Sequence, residues 1–188
     1  MPGKCYDAPP PMAIDTYSTY FAIIKTNQGR IILQLHSAEA PLAVNNFVAL
    51  ARDGYYDGLI FHRVVPHFLI QGGDPTGTGK GGPGYRFKDE SVRRPYRAGT
   101  VAMANAGPDT NGSQFFICLE DQPTLPPRYT IFGDTLAGMD VVRNIRVGDV
   151  IQSVTIEQER PFYCRRTAEG VQARTEKRRV SNARLSPR

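Results

Sequence analysis

The feature that most constrains this chain is how its apolar segments are joined. TYFAIIKT, RIILQLH, LIFHRVV, FLIQGG, TVAMAN, QFFICL, YTIFGD and DVIQSVTIEQE are short runs rich in β-branched and aromatic residues, the composition of strands. Only two stretches carry helical spacing. In APLAVNNFVALARDG, Val44, Phe47, Val48 and Ala51 recur at i, i+3, i+4 and i+7, with Pro41 suited to the first turn and Gly54 to the stop. In LAGMDVVRNIR, Met139, Val142 and Ile145 recur, and Asp134 and Thr135 are candidate caps. That gives about seven or eight strands, mostly joined by loops, which favours an antiparallel barrel or sandwich over a doubly wound α/β sheet. TNQG reads as a hairpin turn, and Pro66 separates LIFHRVV from FLIQGG.

Charge divides the chain more sharply than its total suggests. The net +5 of the 188 residues hides a net of −2 over residues 1–159 and +7 over residues 160–188. The C-terminal segment is therefore expected to be a basic, disordered tail, touching nucleic acid only weakly and through non-specific electrostatics. Residues 1–18, with Pro2 and Pro9-Pro10-Pro11, are expected to be a disordered lead-in to one domain at 19–159. Three scattered cysteines (Cys5, Cys118 and Cys164) show no CxxC spacing and argue against a disulfide scaffold or a zinc site. No apolar run reaches the ~20 residues needed to cross a bilayer. A cytoplasmic monomer, not associated with membranes, is the expectation.

Several apparent motifs lack their physical context. Gly77-Thr78-Gly79-Lys80-Gly81-Gly82 matches G-x-G-x-x-G, yet no amphipathic helix follows to aim its N-terminus at a pyrophosphate. His36, His62 and His67 form no metal-binding spacing, and Ser113 lacks a nucleophile-elbow frame. Two stretches remain, FHRVVPHFLIQGGDP and VAMANAGPDTNGSQFFI. Each combines apolar and aromatic residues with amide side chains, and the first adds an arginine that stays protonated. Such a set offers an apolar floor, a fixed cation and hydrogen-bonding amides. It suits a reaction without proton transfer or bond cleavage, and needs no cofactor or metal.

FHRVVPHFLIQGGDPTGTGKGG and MANAGPDTNGSQFFI resemble the two signature blocks of the cyclophilins, in order and within a likeness running from about Tyr20 to Glu157. The resemblance implies a mainly β fold, a closed eight-stranded antiparallel barrel capped by two α-helices. It implies peptidyl-prolyl cis-trans isomerase activity on proline-containing peptides and proteins, aiding folding, with a proline-binding or chaperone module of little turnover as the rival. By the same matching, Arg63 acts on the prolyl nitrogen, assisted by Phe68 and by Gln71, which holds either Arg63 or the substrate carbonyl. Phe68, Leu69 and Phe116 form the proline pocket, and Asn105 binds peptide backbone through its main chain. Ala104, Ala106 and Gln114 line the adjoining groove, with Leu125 and Tyr129 at the far wall.

The departures fall in LEDQPTLPPRYTIFG. Thr124 takes the place of a tryptophan found in the best-known cyclophilins, Tyr129 that of a histidine, and Leu69 that of a common methionine. The last is a volume-conserving exchange. Cyclosporin is therefore a candidate ligand whose binding the loss of the indole at Thr124 should weaken, while catalysis should survive.

Overall fold

The computed structural model describes residues 4–160; the basic tail lies outside them. The elements are β1 (Thr19–Thr26), β2 (Gly29–Leu35), α1 (Pro41–Arg52), β3 (Arg63–Val65), β4 (Leu69–Gly72), β5 (Thr100–Met103), β6 (Phe115–Cys118), β7 (Ile131–Ala137), α2 (Met139–Asn144) and β8 (Ile151–Glu159). β1 and β2 form the expected hairpin, with Thr26 opposite Gly29 and Tyr20 opposite Leu35. Tyr20, Ala22 and Ile24 of β1 and Ile31, Leu33 and Leu35 of β2 point inward, as period-2 alternation requires.

Helix α1 buries Val44, Phe47, Val48 and Ala51, the residues picked out by their spacing. Its first turn contains no acid of its own. Glu90, from a distant loop, supplies one: its two carboxylate oxygens accept from the N–H groups of Leu42 and Ala43, each at 2.9 Å. These are orphan donors at the positive end of the helix dipole. Helix α2 starts later than expected. Asp134 and Thr135 are not its caps but part of β7, which stays paired with β2 as far as Ala137. The N-cap is Gly138, at φ +88, where a Cβ would sit 2.4 Å from the carbonyl oxygen of Arg30. Only glycine fits that left-handed, crowded position.

The eight strands form one antiparallel sheet in the order β3-β4-β6-β5-β7-β2-β1-β8. The closed barrel expected from sequence is not formed, and the sheet is an open half-barrel. The terminal strands β3 and β8 share no ladder; Ile60 and Val150, just ahead of them, meet in one isolated bridge. β3 is only three residues long and ends against Pro66, which has no N–H to extend a ladder.

The N-terminal lead-in also differs from expectation over its described part. Residues 4–14 lie along α1, bonded to Asn45 and Asp53. The Asn45 side chain accepts from the N–H groups of Ala13 (2.8 Å) and Ile14 (3.3 Å), and donates to the carbonyls of Pro10 (3.3 Å) and Pro11 (3.0 Å). Ile14 is buried in the core. A proline-rich stretch lacks the donors for secondary structure, but its carbonyls can be satisfied by one buried amide.

Candidate active site

The sheet buries apolar side chains on both faces, which explains why its central strands read as continuous apolar runs. Ile70, Val101, Met103, Phe115 and Ile117 enter the main core. Their neighbours Leu69, Ala102, Phe116 and Cys118 form a separate cluster on the other face, with Tyr96 and Ile131. This second cluster is the floor of the candidate site.

Register then places the polar residues. Arg63 pairs with Gln71 between β3 and β4, Gln71 with Phe116 between β4 and β6, and Phe116 with Ala102 between β6 and β5. The arginine, the amide and the phenyl ring thus share one cross-strand row. Arg63 is exposed rather than buried in a dry strand, so its guanidinium escapes the desolvation cost its apolar neighbours suggest. It donates to Gln71 Oε1 at 3.1 Å. Gln71 Nε2 donates to Gln114 Oε1 at 2.9 Å, and Gln114 Nε2 donates to the carbonyls of Gly81 (2.8 Å) and Gly79 (3.1 Å).

Two adjoining cavities result. One of about 250 Å³ is lined by Arg63, Phe68, Leu69, Gln71, Ala104, Asn105, Phe116, Leu125 and Tyr129. The other, about 820 Å³, shares Gln71, Ala104 and Asn105 with it and adds Ala106, Gln114 and the glycine-rich wall from Gly79 to Arg86. All eleven residues picked out from the sequence therefore line one groove. Thr124 lies exposed in a turn and lines neither cavity.

The supporting residues were not picked out from the sequence. Tyr96 holds the far wall: its hydroxyl donates to the Tyr129 carbonyl at 2.8 Å and accepts the Tyr129 N–H at 3.1 Å. Tyr129 then stands edge-on to Phe116, ring centroids 5.6 Å apart. Asp89 accepts from the side-chain amides of Asn105 (3.2 Å) and Asn111 (2.8 Å). The Asn105 side chain also donates to the Arg128 carbonyl at 2.9 Å, which commits its amide to the surrounding loops. Asp74 accepts from Thr76, Thr78, Gly79 and Gly81 and shapes the glycine loop. That aspartate did leave a signal, since an Asp followed by small and hydroxyl residues favours a side-chain-closed turn.

Among the described residues, no carboxylate, imidazole or thiol lines either cavity. Beside the groove, burial holds the His62 imidazole below its usual range, and the adjacent Arg63 charge adds to this. It is therefore neutral near pH 7. Beneath it, burial pushes the Cys118 thiol up to about 12, leaving it unreactive. The site offers a fixed cation beside apolar and aromatic side chains, and among the described residues no carboxylate, imidazole or thiol to remove a proton.

Comparison with known proteins agrees. Residues 21–163 match the model of the family described as cyclophilin type peptidyl-prolyl cis-trans isomerase. The chain belongs to the cyclophilins. A peptidyl-prolyl cis-trans isomerase of Helicobacter pylori is 50% identical over 140 residues, covering 72% of this chain and 86% of that protein. One from Synechococcus elongatus is 53% identical over 137 residues, covering 72% and 94%. A crystal structure of a Cryptosporidium parvum cyclophilin type isomerase superposes with a TM-score of 0.70 at 38% identity, covering 76% of this chain and 99% of that one. A second structure of the same protein, in the presence of the dipeptide Ala-Pro, gives 0.69. This cyclophilin is an isomerase of X-Pro peptide bonds.

Proposed function

We propose that the smaller cavity holds the proline ring of an extended peptide and that Arg63 drives the rotation. Rotation about a peptide bond is opposed by resonance, a barrier of ~18–20 kcal/mol, and takes tens to hundreds of seconds unaided before proline. A guanidinium N–H aimed at the prolyl nitrogen draws its lone pair from the carbonyl. As the nitrogen pyramidalises the bond strengthens, so the contact favours the transition state over the ground state. Removing ~4–5 kcal/mol accelerates rotation about a thousandfold or more. Phe68, Leu69, Phe116, Leu125 and Tyr129 enclose the ring, Gln71 holds Arg63 in place, and the Asn105 backbone binds the peptide. Ala104, Ala106 and Gln114 extend the contact into the larger cavity. The Ala-Pro dipeptide used with the Cryptosporidium parvum relative fits this reading of the ligand.

The observation that carries the reading is Arg63 fixed by Gln71 at the mouth of an apolar cavity. The test is a protease-coupled assay on a short X-Pro peptide. Arg63→Ala is expected to lose about 10²–10³-fold in kcat/KM, and equal rates for variant and wild type would remove Arg63 from the mechanism. Tight peptide binding without acceleration would select the binding-module alternative. The reading includes a cytoplasmic monomer that uses no cofactor and acts on proline-containing proteins in folding. Weak nucleic-acid contact by the basic tail belongs to it too, although the tail lies outside the described residues. Among the described residues no helix is long and apolar enough to cross a membrane.

A further inference from the structure

The outer wall of the larger cavity is one residue thick where Pro83, Gly84 and Tyr85 line it. Its back is covered by the N-terminal arm. The Tyr6 N–H donates to the Pro83 carbonyl at 2.8 Å. At Gly84, φ is +100 and a Cβ would lie 2.5 Å from the Tyr6 carbonyl oxygen and 2.6 Å from Cys5 Sγ. The Tyr6 ring stands edge-on to Tyr85 at 6.4 Å and lies 6.1 Å from Tyr55.

Both arm and wall are tied to the same helix. The hydroxyl of Tyr6 and the ammonium of Lys4 donate to the Asp53 carboxylate just beyond α1. The Tyr85 hydroxyl donates to Asn46 Oδ1 at 2.6 Å, and Asn46 Nδ2 donates to the carbonyl of Gly112, also in the cavity lining, at 2.8 Å. The arm precedes the segment matched by the family, which begins at residue 21. The arm's side of this contact is therefore built from residues ahead of the matched segment, and the wall's side from residues within it.

We propose that residues 4–14 are a brace that holds the outer wall of the larger cavity, and that Tyr6 is a positioning residue for peptides long enough to occupy both cavities. It rests on the reading of the groove as the substrate cleft. Asp74 and Gln114 hold the wall at Gly79 and Gly81. Beyond them stand Gly82 and Gly84, whose backbone freedom is large unless restrained, and at Gly84 the arm is the packing partner. Without the arm, a bound peptide has to order that wall itself, and the loss appears as weaker binding. Turnover is untouched, because Arg63 and Gln71 are set by β3 and β4, and the loop carbonyls that Gln114 bonds belong to Gly79 and Gly81, which Asp74 holds without the arm.

The test measures kcat and KM by NMR exchange with the full chain. The two substrates are acetyl-Ala-Pro-methylamide, which reaches one cavity, and an Ala-rich octapeptide with a central proline, which spans both at ~3.3 Å per residue. Tyr6→Ala is expected to raise KM for the octapeptide about three- to tenfold, with kcat and the short peptide unchanged. Tyr6→Phe, which keeps the ring contacts and loses only the bond to Asp53, is expected to fall between wild type and Tyr6→Ala. Asp53→Ala removes the side-chain acceptor shared by Tyr6 and Lys4 without touching the wall; it is expected to raise the octapeptide KM in the same direction and decides the matter if Tyr6→Ala fails to fold. An octapeptide KM unchanged in the folded variants, or equal losses on both peptides, overturns the brace. A wild type inactive on both peptides overturns the reading of the cleft, and the brace with it.

Discussion

Gln71 holds two bonds that only an amide can make together. Arg63 has donors alone, so it must meet the oxygen of Gln71; the nitrogen is then left for Gln114 Oε1, and the nitrogen of Gln114 for the glycine-loop carbonyls. The direction of every bond follows from the arginine. Gln114→Leu leaves Gln71 Nε2 without a partner and frees the loop. The expected result is about a tenfold loss in kcat/KM, with about ten- to a hundredfold for Gln71→Leu, since hydrogen bonds to charged groups are worth ~1.5–3 kcal/mol. A protease-coupled assay checks both, and wild-type rates in Gln114→Leu would break the chain of inference. Thr124 makes a different prediction. Exposed and outside the cavities, it offers little area to a cyclic peptide, whereas an indole adds both area and an N–H. Thr124→Trp is expected to tighten cyclosporin inhibition about tenfold or more, and nanomolar inhibition of the wild type would contradict this. The sequence pointed to both positions because each breaks a local pattern: a polar amide in an apolar run, a missing tryptophan in a family block.

The glycine loop is the element whose order rests most on one side chain. The buried Asp74 carboxylate accepts from Thr76 N (2.7 Å), Thr76 Oγ1 (2.8 Å), Thr78 N (3.1 Å) and Gly81 N (3.2 Å), and also from Gly79 N. Burial alone would raise its pKa, but the Thr76, Gly81 and Gly79 donors outweigh this and hold it below the usual carboxylate range. The sign follows: a carboxyl with a depressed folded pKa contributes stability above its unfolded value of ~3.9, and that stability is lost as pH falls through the lower folded value. Asp74→Asn turns an NH₂ toward donors and is expected to cost about 2–4 kcal/mol at pH 7. The gap between wild type and variant should narrow toward pH 3. Urea unfolding at both pH values checks this, and a pH-independent gap would refute it. Elements differed in how plainly they could be read. α1 was plain because one periodicity spans its whole length. β7 and α2 were misdivided because Asp134 and Thr135 are good caps locally, while pairing with β2 holds them in a strand. That the sheet stays open, with only the Ile60–Val150 bridge ahead of its terminal strands, is a long-range outcome which no local pattern encodes.

At the scale of the molecule, one sheet separates a core from a groove, and the sequence shows the sheet more readily than the separation. Strands covered on both faces lose polar alternation, so which of Phe115 and Phe116 faces the ligand follows only from register. Charge is distributed just as unevenly. Residues 1–159 carry a net of −2, yet the groove is cationic. Arg63 stands at the smaller cavity, Lys80 and Arg86 line the larger one, and no carboxylate faces either. Lys80 and Arg86 have no ion-pair partner among the described residues, and the nearest acid in the loop, Asp74, is occupied by its own backbone donors. A peptide with a carboxylate within two or three residues of its proline should therefore bind better than its neutral isostere. Exposed pairs are worth ~0.2–1 kcal/mol, which corresponds to a ratio of about 1.5 to 5 in kcat/KM for Glu over Gln. Screening shortens the interaction range to ~10 Å at 0.1 M salt and ~3 Å at 1 M. The Glu preference should thus be largest at low salt, vanish near 1 M, and disappear at any salt in the double variant Lys80→Ala, Arg86→Ala. Equal rates for the Glu and Gln peptides at low salt would mean the two cations face solvent rather than substrate.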